Sequence, residues 1–269
     1  MDCLIGVDIG TTGAKTCLFD VQGRTLASAF EEYPLHHPKP GWAEQNTDDW
    51  WRATVLSLRS VMQQADVDPA AVAAIGLSGQ MHGAVLLDAN RNVLRPSIIW
   101  CDQRTAPQCE WITETVGRER RLELVSNPAL PGFTAPKVIW VRDNEPDVFK
   151  RIHTVVLPKD YIRFRLTGEV AMEVSDAAGT LFFDVANRRW SEELLASIGV
   201  PREWMPPCYE SIDVCGRITQ AVADETGLQC GTPVVGGGAD NTCGAVGNGI
   251  VREGLVSSSI GTSGVVFAH

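Results

Sequence analysis

The chain has 269 residues, of which 44% are hydrophobic and 21% are charged, and its formal net charge is −10. That length suffices for one large domain or two modest ones, and the composition is ordinary for a globular protein. Such an acidic chain lacks the basic face that nucleic-acid binding requires, so we expect no nucleic-acid partner. Local phosphate binding stays open, because backbone N–H groups and a metal ion can supply it.

The cysteines and the N-terminal sequence indicate no special compartment. None of the eight cysteines has C-x-x-C spacing, so neither a zinc site nor a thioredoxin-like site is predicted. The first ten residues, MDCLIGVDIG, carry no basic segment before their apolar run, which predicts no signal peptide and no transmembrane span. We therefore expect free thiols in the cytoplasm and no membrane partner.

Hydrophobic periodicity and turn residues predict strands and helices along the whole chain. The first three strands form a meander that ends at residues 25–33, and Asn46 or Thr47 caps a helix that runs to about Ala65. Further strands are predicted over 73–77, 84–87, 98–100, 154–157, 181–184 and 233–235, and helices over 105–116, 137–143, 146–151, 159–166, 192–198 and 242–249. The segment 126–136, with three prolines and a glycine, predicts a rigid wall or lid.

The first predicted hairpin, residues 4–20, has a turn made of glycine and threonine. Glycines adopt backbone angles closed to other residues, so successive N–H groups can converge on one anion. The candidate phosphate contacts are Gly10, Thr11, Thr12, Gly13 and Lys15. Asp8 lies beside the turn, where it could hold a cation or its waters. An ordinary hairpin whose glycines only serve the turn is the alternative, and this stretch alone leaves both open.

A second copy of the turn lies near the other end of the chain. Residues 257–266 read SSSIGTSGVV, and their turn differs from the first only in one Ser for Thr. The matching phosphate contacts are Gly261, Thr262 and Ser263. Two distant copies suggest two related domains that each present a phosphate-binding hairpin to a shared cleft. Ser259 replaces Asp8 in this copy, so only the first hairpin would carry the carboxylate.

Two polar segments interrupt or end strands in the first half of the chain, where a scaffold tends to place ligand contacts. One is the Gly-bracketed Gln80-Met81-His82, and the other contains Asp102 and Arg104 before a helix. Asp102 and Arg104 either bind a polyhydroxy ligand or cap and pair at the start of that helix. The sequence leaves these two alternatives open.

A third polar segment, GGGADN at residues 236–241, follows the last buried strand. In α/β folds ligands bind at this end of a strand, and three glycines let a substrate approach the backbone. Asp240 follows the glycines of this segment and is a candidate functional carboxylate. A helix N-cap is its alternative role, and both roles can hold together. Beside a helix N-terminus it should stay ionised and act as a weak base.

Together these motifs resemble the FGGY carbohydrate kinases, within the actin/hexokinase/heat-shock ATPase superfamily, and in particular the members that act on xylulose. The resemblance follows the chain in order, through DIGTTG at 8–13, GQMHG at 79–83, WCDQR at 100–104, PGFTAPK at 131–137, LPKDYIRFRLTG at 157–168, SDAAGT at 175–180 and GGGADN at 236–241. The Met81-His82 pair separates this pattern from the glycerol kinases, which carry Arg-Glu there.

This resemblance implies an α/β, ribonuclease-H-like (actin-like ATPase) domain with a mixed central sheet flanked by helices. It implies ATP-dependent phosphorylation of D-xylulose to D-xylulose 5-phosphate, with ATP and Mg²⁺ bound in a cleft between two domains. Asp240 matches the catalytic base, and Asp8 matches the carboxylate near the metal and the phosphates. Met81 and His82 match the sugar-contacting pair, and their expected neighbours on the sugar side are Gln80, Asp102, Arg104 and Asn241.

Family members are nearly twice as long as this chain. We therefore expect residues 1–253 to form the N-terminal sugar-binding and catalytic domain, and residues 254–269 to form the first hairpin of a truncated nucleotide-binding domain. Such a piece is expected to be inactive alone. Its last strand pair would lack a sheet and could pair with another chain, for example in a homodimer.

Three alternatives compete with phosphorylation of xylulose. The nearest is an FGGY kinase for another sugar, such as ribulose, fuculose or gluconate. A non-enzymatic sugar sensor on the same fold is the second, and the retained Asp240 and the lack of a basic helix-turn-helix segment count against it. A chaperone-like ATPase, which would bind peptides and need no sugar pocket, is the third.

Overall fold

The structure, a computed structural model, describes residues 2–260 and 264–269. Its strands are β1 (Cys3–Ile9), β2 (Gly13–Asp20), β3 (Thr25–Glu32), β4 (Glu44–Gln45), β5 (Val72–Gly79), β6 (Val85–Leu87), β7 (Ser97–Ile98), β8 (Thr154–Val156), β9 (Met172–Glu173), β10 (Phe183–Asp184), β11 (Arg189–Trp190), β12 (Cys208–Tyr209), β13 (Val214–Arg217), β14 (Pro233–Val235), β15 (Gly238–Ala239), β16 (Val256–Ile260) and β17 (Gly264–Ala268). Its helices are α1 (Thr47–Ala65), α2 (Ala106–Val116), α3 (Arg118–Val125), α4 (Thr134–Asn144), α5 (Pro146–Phe149), α6 (Pro158–Thr167), α7 (Val174–Ala178), α8 (Glu192–Ser197), α9 (Gln220–Thr226) and α10 (Asp240–Gly247). None of the helices in the described residues is long and apolar enough to span a membrane.

A mixed sheet of seven strands lies at the centre of the fold. Its strands follow the order β13-β14-β5-β1-β2-β3, and β15 also pairs with β5. β1 is parallel to β5 and antiparallel to β2, whereas β14 and β15 are both parallel to β5. This arrangement confirms the expected mixed central sheet.

Buried and less buried residues alternate along β1, and this alternation explains how the sheet is anchored to the hydrophobic core. Ile5, Val7 and Ile9 are at most 2% exposed and belong to the main hydrophobic cluster, while Asp8 points to the opposite face. α1 packs on β2 and β3, and α6 and α9 pack on α1 in the same cluster. Burial of this apolar face sets the register of the central strands, because a slip of one residue would place Asp8 in the core.

A second hydrophobic cluster lies beside the sheet. It joins α4 and β8 to the segment around β10 and to α8. Trp190 packs edge-on against Phe183 within it, with ring centroids 5.3 Å apart. This cluster supports the start of α4 and the segment after α7, both of which contact His82.

Several predicted boundaries are corrected by the structure. The helix predicted from residue 137 begins at Thr134, because a proline at position 136 is tolerated in a first turn, where its missing N–H has no intrahelical partner. The strand predicted over 181–184 is limited to Phe183–Asp184, since Leu181 has a φ of +70°. The helix predicted from residue 242 begins at Asp240. By contrast, α1 ends at Ala65 as predicted.

Among the described residues, β16 and β17 pair with each other alone and form a separate two-stranded sheet. Their exposed side chains include Val266, which is 74% exposed. The division at residue 253 and the homodimer expected from this strand pair stay predictions. Gly261, Thr262 and Ser263, the second set of predicted phosphate contacts, lie outside the described residues.

Gly237 should tolerate no side chain. Its φ is +77°, and a Cβ atom would lie 2.0 Å from the carbonyl oxygen of Leu77 on β5. We expect Gly237→Ala to lower the free energy of unfolding by about 3 kcal/mol or more, measured by chemical denaturation. The matched control is Gly227→Ala, which has a φ of +81° but open space around it and should lose about 1 kcal/mol. Equal losses would show that crowding against β5 is not the reason for this glycine.

Candidate active site

Three neighbouring parallel strands bring their carboxyl ends together at one edge of the sheet. Asp8 on β1 lies beside Ser78 on β5, and Ser78 lies beside Gly238 on β15. Lys15 on β2 faces Asp8 across the antiparallel pair. Asp8, Lys15, Ser78 and Gly237 line a cavity of about 440 Å³. This edge is where parallel strands offer ligands a crevice.

The turn between β1 and β2 is held from outside by four side chains. The Nε2 atom of Gln45 donates to the Thr11 carbonyl at 2.7 Å, and the indole N–H of Trp100 donates to the Thr11 hydroxyl at 2.8 Å. The hydroxyl of Tyr33 and Nε2 of Gln80 both donate to the Gly10 carbonyl. Because the Thr11 hydroxyl accepts from Trp100, its own proton is left to donate to a bound anion.

The turn itself is closed by a hydrogen bond from the Gly10 N–H to the Gly13 carbonyl at 3.0 Å. A Cβ atom at Gly13 would lie 2.6 Å from the carbonyl oxygen of Glu31 on β3. The Thr12 carbonyl accepts from the N–H of Tyr33. Glycine at position 13 is therefore required by the neighbouring strand, so the ordinary-hairpin alternative explains this residue without any phosphate.

Gln80 lies beneath this turn instead of on an open surface. Its side chain is almost fully buried, and its Nε2 atom donates to the Gly10 carbonyl at 3.1 Å and to Oε1 of Gln45 at 2.8 Å. Both N–H groups of the amide are thus used within the protein, and its Oε1 atom is buried. A direct sugar contact needs an accessible polar atom, which the Gln80 amide does not offer.

Asp102 and Arg104 pair with each other, as one of the two sequence alternatives predicts. Their side chains are 0% and 1% exposed, and they form a salt bridge of 2.7 Å. Arg104 also pairs with Glu44 at 2.7 Å and lies 3.7 Å from the ring centre of Trp42. Oδ2 of Asp102 accepts from the N–H of Ala43 at 2.6 Å. The pair anchors the start of α2 to the loop before α1, and both side chains are buried.

Asp8 has the properties of a metal-binding carboxylate. Burial raises the pKa of Asp8 above its usual range, against the opposing hydrogen bond from Ser78 and the charge of Lys15. Its Oδ1 atom is buried without a hydrogen-bond partner among the described residues. The described part of the chain contains no group of three or more His, Cys, Asp or Glu suited to a metal. Mg²⁺ commonly uses one or two carboxylates together with substrate phosphates and water, and Asp8 fits that role.

Asp240 is the first residue of α10, with Ala239 as the N-cap. Its Oδ1 atom accepts from the N–H of Asn241 at 2.7 Å. Burial raises the pKa of Asp240 to about 6, opposed by the Asn241 N–H and reinforced by the charge of Asp8. The expectation of a weak base is therefore wrong, because desolvation outweighs the helix N-terminus. The carboxylate is ionised at neutral pH and a better proton acceptor than an exposed aspartate.

Asn241 connects Asp240 to the segment that contains Met81. Its Nδ2 atom lies 3.8 Å from the sulfur of Met81. On the other side, Asp240 and Asn241 line a cavity of about 400 Å³ together with Ser257 and Phe267 of the second hairpin. The start of α10 is thus placed between the predicted sugar contacts and the described part of the second hairpin.

His82 is held in an unusual conformation by contacts with four residues. Its φ is +68°, and its Nδ1 atom lies 2.7 Å from the carbonyl oxygen of Gly179. Its own carbonyl accepts from the hydroxyl of Thr134 at 3.1 Å and from the buried ammonium of Lys137 at 2.8 Å. The imidazole also packs on Phe133, with ring centroids 4.7 Å apart. These contacts leave the ring little freedom to move.

The surroundings of His82 determine its protonation. Burial, and next the charge of Lys137, lower the pKa of His82 to about 4, so the ring is neutral at neutral pH. A neutral imidazole that faces a carbonyl through Nδ1 carries its proton there. Nε2 is then a hydrogen-bond acceptor, suited to a hydroxyl group of a ligand.

Several supporting residues were not among the sequence candidates. Gln45, Trp100 and Tyr33 fix the first turn, and Lys137 fixes His82. Gly179 must lack a side chain, because a Cβ atom would lie 2.8 Å from the His82 ring and 3.1 Å from Met81. Membership of the segments WCDQR, PGFTAPK and SDAAGT was the only sequence signal for Trp100, Lys137 and Gly179.

Comparison with known proteins identifies the family. The N-terminal domain of the FGGY family of carbohydrate kinases matches residues 3–247. Xylulose kinase of Bacillus subtilis (strain 168) is 44% identical over 269 residues, which is 100% of this chain and 54% of that protein. The chain spans about half the length of the curated relatives it matches.

Solved structures agree with this match. Xylulose kinase from Rhodospirillum rubrum superimposes with a TM-score of 0.94 at 32% identity, over 98% of this chain and 54% of that one. Gluconate kinase from Lactobacillus acidophilus superimposes with a TM-score of 0.93 at 26% identity, over 98% of this chain and 53% of that one. The chain therefore belongs to the FGGY family of carbohydrate kinases and has their actin-like ATPase fold, which confirms the resemblance and the fold expected from the sequence.

Protonation of His82 should make the fold sensitive to acid. Its pKa of about 4 lies below the ordinary value of 6.5, so the unfolded chain binds more protons between these values and stability falls as pH is lowered through that range. The loss amounts to roughly 3 kcal/mol at most. We expect His82→Asn, which tolerates a positive φ, to flatten the dependence of the unfolding free energy on pH from 6.5 to 4. The exposed His153→Asn is the control, and an equal effect there would contradict the assignment.

Proposed function

We propose that this chain is the sugar-binding and catalytic part of an ATP-dependent kinase that converts D-xylulose to D-xylulose 5-phosphate. The observation that carries the proposal is the 44% identity to Bacillus subtilis xylulose kinase across the whole chain. The grouping of Asp240, Asn241 and Met81 at the start of α10, with His82 next in the chain, supports it. These are the residues that the family resemblance assigned to the base and the sugar.

Asp240 is the proposed general base for the attacking hydroxyl. Phosphoryl transfer asks a protein mainly for alignment and charge stabilisation, and a positioned carboxylate can orient the hydroxyl and take its proton. The pKa of about 6 suits this task, because the group is ionised at neutral pH yet accepts a proton more readily than an exposed aspartate. The proton moves from the sugar hydroxyl to Oδ1 or Oδ2 of Asp240 as the hydroxyl oxygen bonds to the γ-phosphorus of ATP, and the bond from that phosphorus to the bridging oxygen breaks to release ADP.

Met81, His82 and Asn241 are the proposed seat of the sugar. Neutral His82 can accept a hydrogen bond from a sugar hydroxyl through Nε2, since Nδ1 faces the Gly179 carbonyl. Asn241 can donate and accept through its amide, and Met81 supplies an apolar wall beside it. Immobilising the ketose in this way would provide much of the rate enhancement by orientation.

The first hairpin and Asp8 are the proposed phosphate side. The Thr11 hydroxyl has a proton to donate, and Lys15 brings positive charge to the cavity that Asp8 lines. Asp8 would hold Mg²⁺ or one of its waters, and Mg²⁺ when bound neutralises phosphate charge. The proposed role for residues 261–263 is a matching contact from the second hairpin.

The decisive test measures ADP release with a panel of ketoses, polyols and gluconate. Because the chain spans half of its relatives, the assay uses a protein in which residues 1–269 precede the C-terminal portion of the Bacillus subtilis relative. We expect release with D-xylulose, and we expect Asp240→Asn to lower kcat roughly 100-fold or more. The rate of the unsubstituted protein should fall as pH drops through about 6, where Asp240 becomes protonated.

Each other result has a distinct meaning. Release with gluconate or another sugar alone would keep the mechanism and overturn the substrate. No release with any sugar from a folded protein, combined with sugar binding by calorimetry, would favour a sugar sensor. Full activity of Asp240→Asn would refute the assignment of the base.

Asp8 should determine the metal requirement. Loss of a contact with a charged group weakens binding by about 1.5–3 kcal/mol, so Asp8→Asn should raise the Mg²⁺ concentration for half-maximal rate roughly tenfold or more. Titration of Mg²⁺ in the ADP-release assay measures this shift. Asp224→Asn, an exposed acid on α9, is the control for general loss of negative charge. An unchanged Mg²⁺ requirement in Asp8→Asn would contradict the proposed role.

A further inference from the structure

Residues 236–238 form a glycine loop that precedes Asp240. A cluster of five ionisable side chains lies fully buried behind this loop. Its members, each 0% exposed, are Lys159, Asp160, Arg163, Glu173 and Asp176. They come from α6, from β9 and from α7. Burying so many charges is unfavourable unless they are paired, so the cluster calls for an explanation beyond stability.

The charges in the cluster are paired around Lys159. Its ammonium lies 3.0 Å from Asp160, 3.4 Å from Glu173 and 3.3 Å from Asp176. Arg163 pairs with Asp160 at 2.8 Å. Burial raises the pKa of Asp176, so a bound proton can neutralise the third carboxylate. The cluster is therefore a rigid and nearly neutral block.

The same cluster of charged side chains binds the glycine loop. Nη1 of Arg163 donates to the carbonyl of Gly236 at 2.7 Å, and the ammonium of Lys159 lies 3.3 Å from the same oxygen. The N–H groups of Gly236 and Gly237 donate to the carbonyls of Asp213 and Ser211. Two cations on one carbonyl fix the point at which the loop leaves β14.

A hydrogen-bonded chain runs from the block to the residue before Asp240. Glu173 accepts from the hydroxyl of Ser175 at 2.7 Å, and the Ser175 hydroxyl oxygen in turn accepts from the N–H of Ala239 at 3.0 Å. The direction is determined by chemistry, because the carboxylate can only accept and the backbone N–H can only donate. Ala239 is fully buried, and the Ser175 hydroxyl is the hydrogen-bond acceptor that its N–H uses.

We propose that Ser175 is a positioning residue for the base, which it orients through the Ala239 N–H at the start of α10. The inference rests on the proposed function, in which Asp240 accepts the proton of the sugar hydroxyl. Ser175 touches neither Met81 nor His82 in any hydrogen bond of the described residues, so it acts at the start of α10 and leaves these two sugar contacts unchanged.

The test is Ser175→Ala in the ADP-release assay with D-xylulose. Removal of the hydroxyl leaves the Ala239 N–H unpaired and lets the start of α10 shift. We expect kcat to fall roughly ten- to a hundredfold, because displacement of a catalytic group by about 1 Å has an effect of that size. The KM for D-xylulose should rise by a smaller factor than kcat falls, since Met81 and His82 lie outside α10 and Asn241 is the one proposed sugar contact on it. Hydrogen exchange of the amides 239–241 should accelerate, while that of β1 should not.

Ser57→Ala is the matched control. Ser57 is a fully buried serine whose hydroxyl forms hydrogen bonds with Thr16 and with the Thr54 carbonyl, and it lies on α1 away from the site. It should lower stability while leaving kcat unchanged. If Ser175→Ala does not fold, Ser175→Cys takes its place with the same expected split, because a thiol keeps the shape of serine and is a weak acceptor.

The possible failures are distinguishable. If Asp240→Asn loses activity while Ser175→Ala keeps kcat within about twofold, the positioning role is wrong and the base assignment stands. If Asp240→Asn keeps its activity, the proposed base itself is wrong. If Ser175→Ala and Ser57→Ala both raise KM and lower kcat to the same extent, the role of Ser175 is structural and the positioning role is wrong.

Discussion

The close approach of the glycine loop to β5 is the constraint on which the site depends. A Cβ atom at Gly237 would meet the carbonyl oxygen of Leu77 at 2.0 Å, so only glycine lets the loop cross β5 there. β15 then pairs with β5 so that Gly238 lies beside Ser78, which itself lies beside Asp8 on β1. Without that crossing α10 would begin elsewhere, and Asp240 would not lie close enough to Asp8 for their charges to interact.

Burial of like charges gives the edge of the sheet its chemical character. Desolvation raises the pKa values of both Asp8 and Asp240, and the charge of Asp8 raises that of Asp240 further. Such a pair is unfavourable in the unliganded chain and is relieved by a cation near Asp8 or a proton on Asp240. The arrangement therefore favours a cation near Asp8 and a proton on Asp240 at the same edge, as the proposed function requires.

Hydrogen bonds from buried side chains to main-chain carbonyls hold both sides of the site. On the sugar side, Lys137 and Thr134 bind the His82 carbonyl, which maintains its positive φ. On the side of the base, Lys159 and Arg163 bind the Gly236 carbonyl. A carbonyl held by a buried charged donor is hard to displace, because the donor would lose its partner in a medium of low polarity. Rigid elements beneath the site thus set the geometry of the groups above it.

The sequence by itself determined the elements with strong local signals. Apolar alternation and the GTTG turn predicted β1 and β2, helical spacing predicted α1, and the ordered motifs predicted the family and the carboxylates Asp8 and Asp240. Tertiary structure alone decided which of the polar candidate residues are buried. Gln80, Asp102 and Arg104 are candidate ligand contacts in the sequence. In the structure Gln80 is buried beneath the first turn, and Asp102 and Arg104 are buried as an ion pair. The raised pKa of Asp240 and the contact from Ser175 also depend on groups distant in sequence, because desolvation and hydrogen bonding act through space.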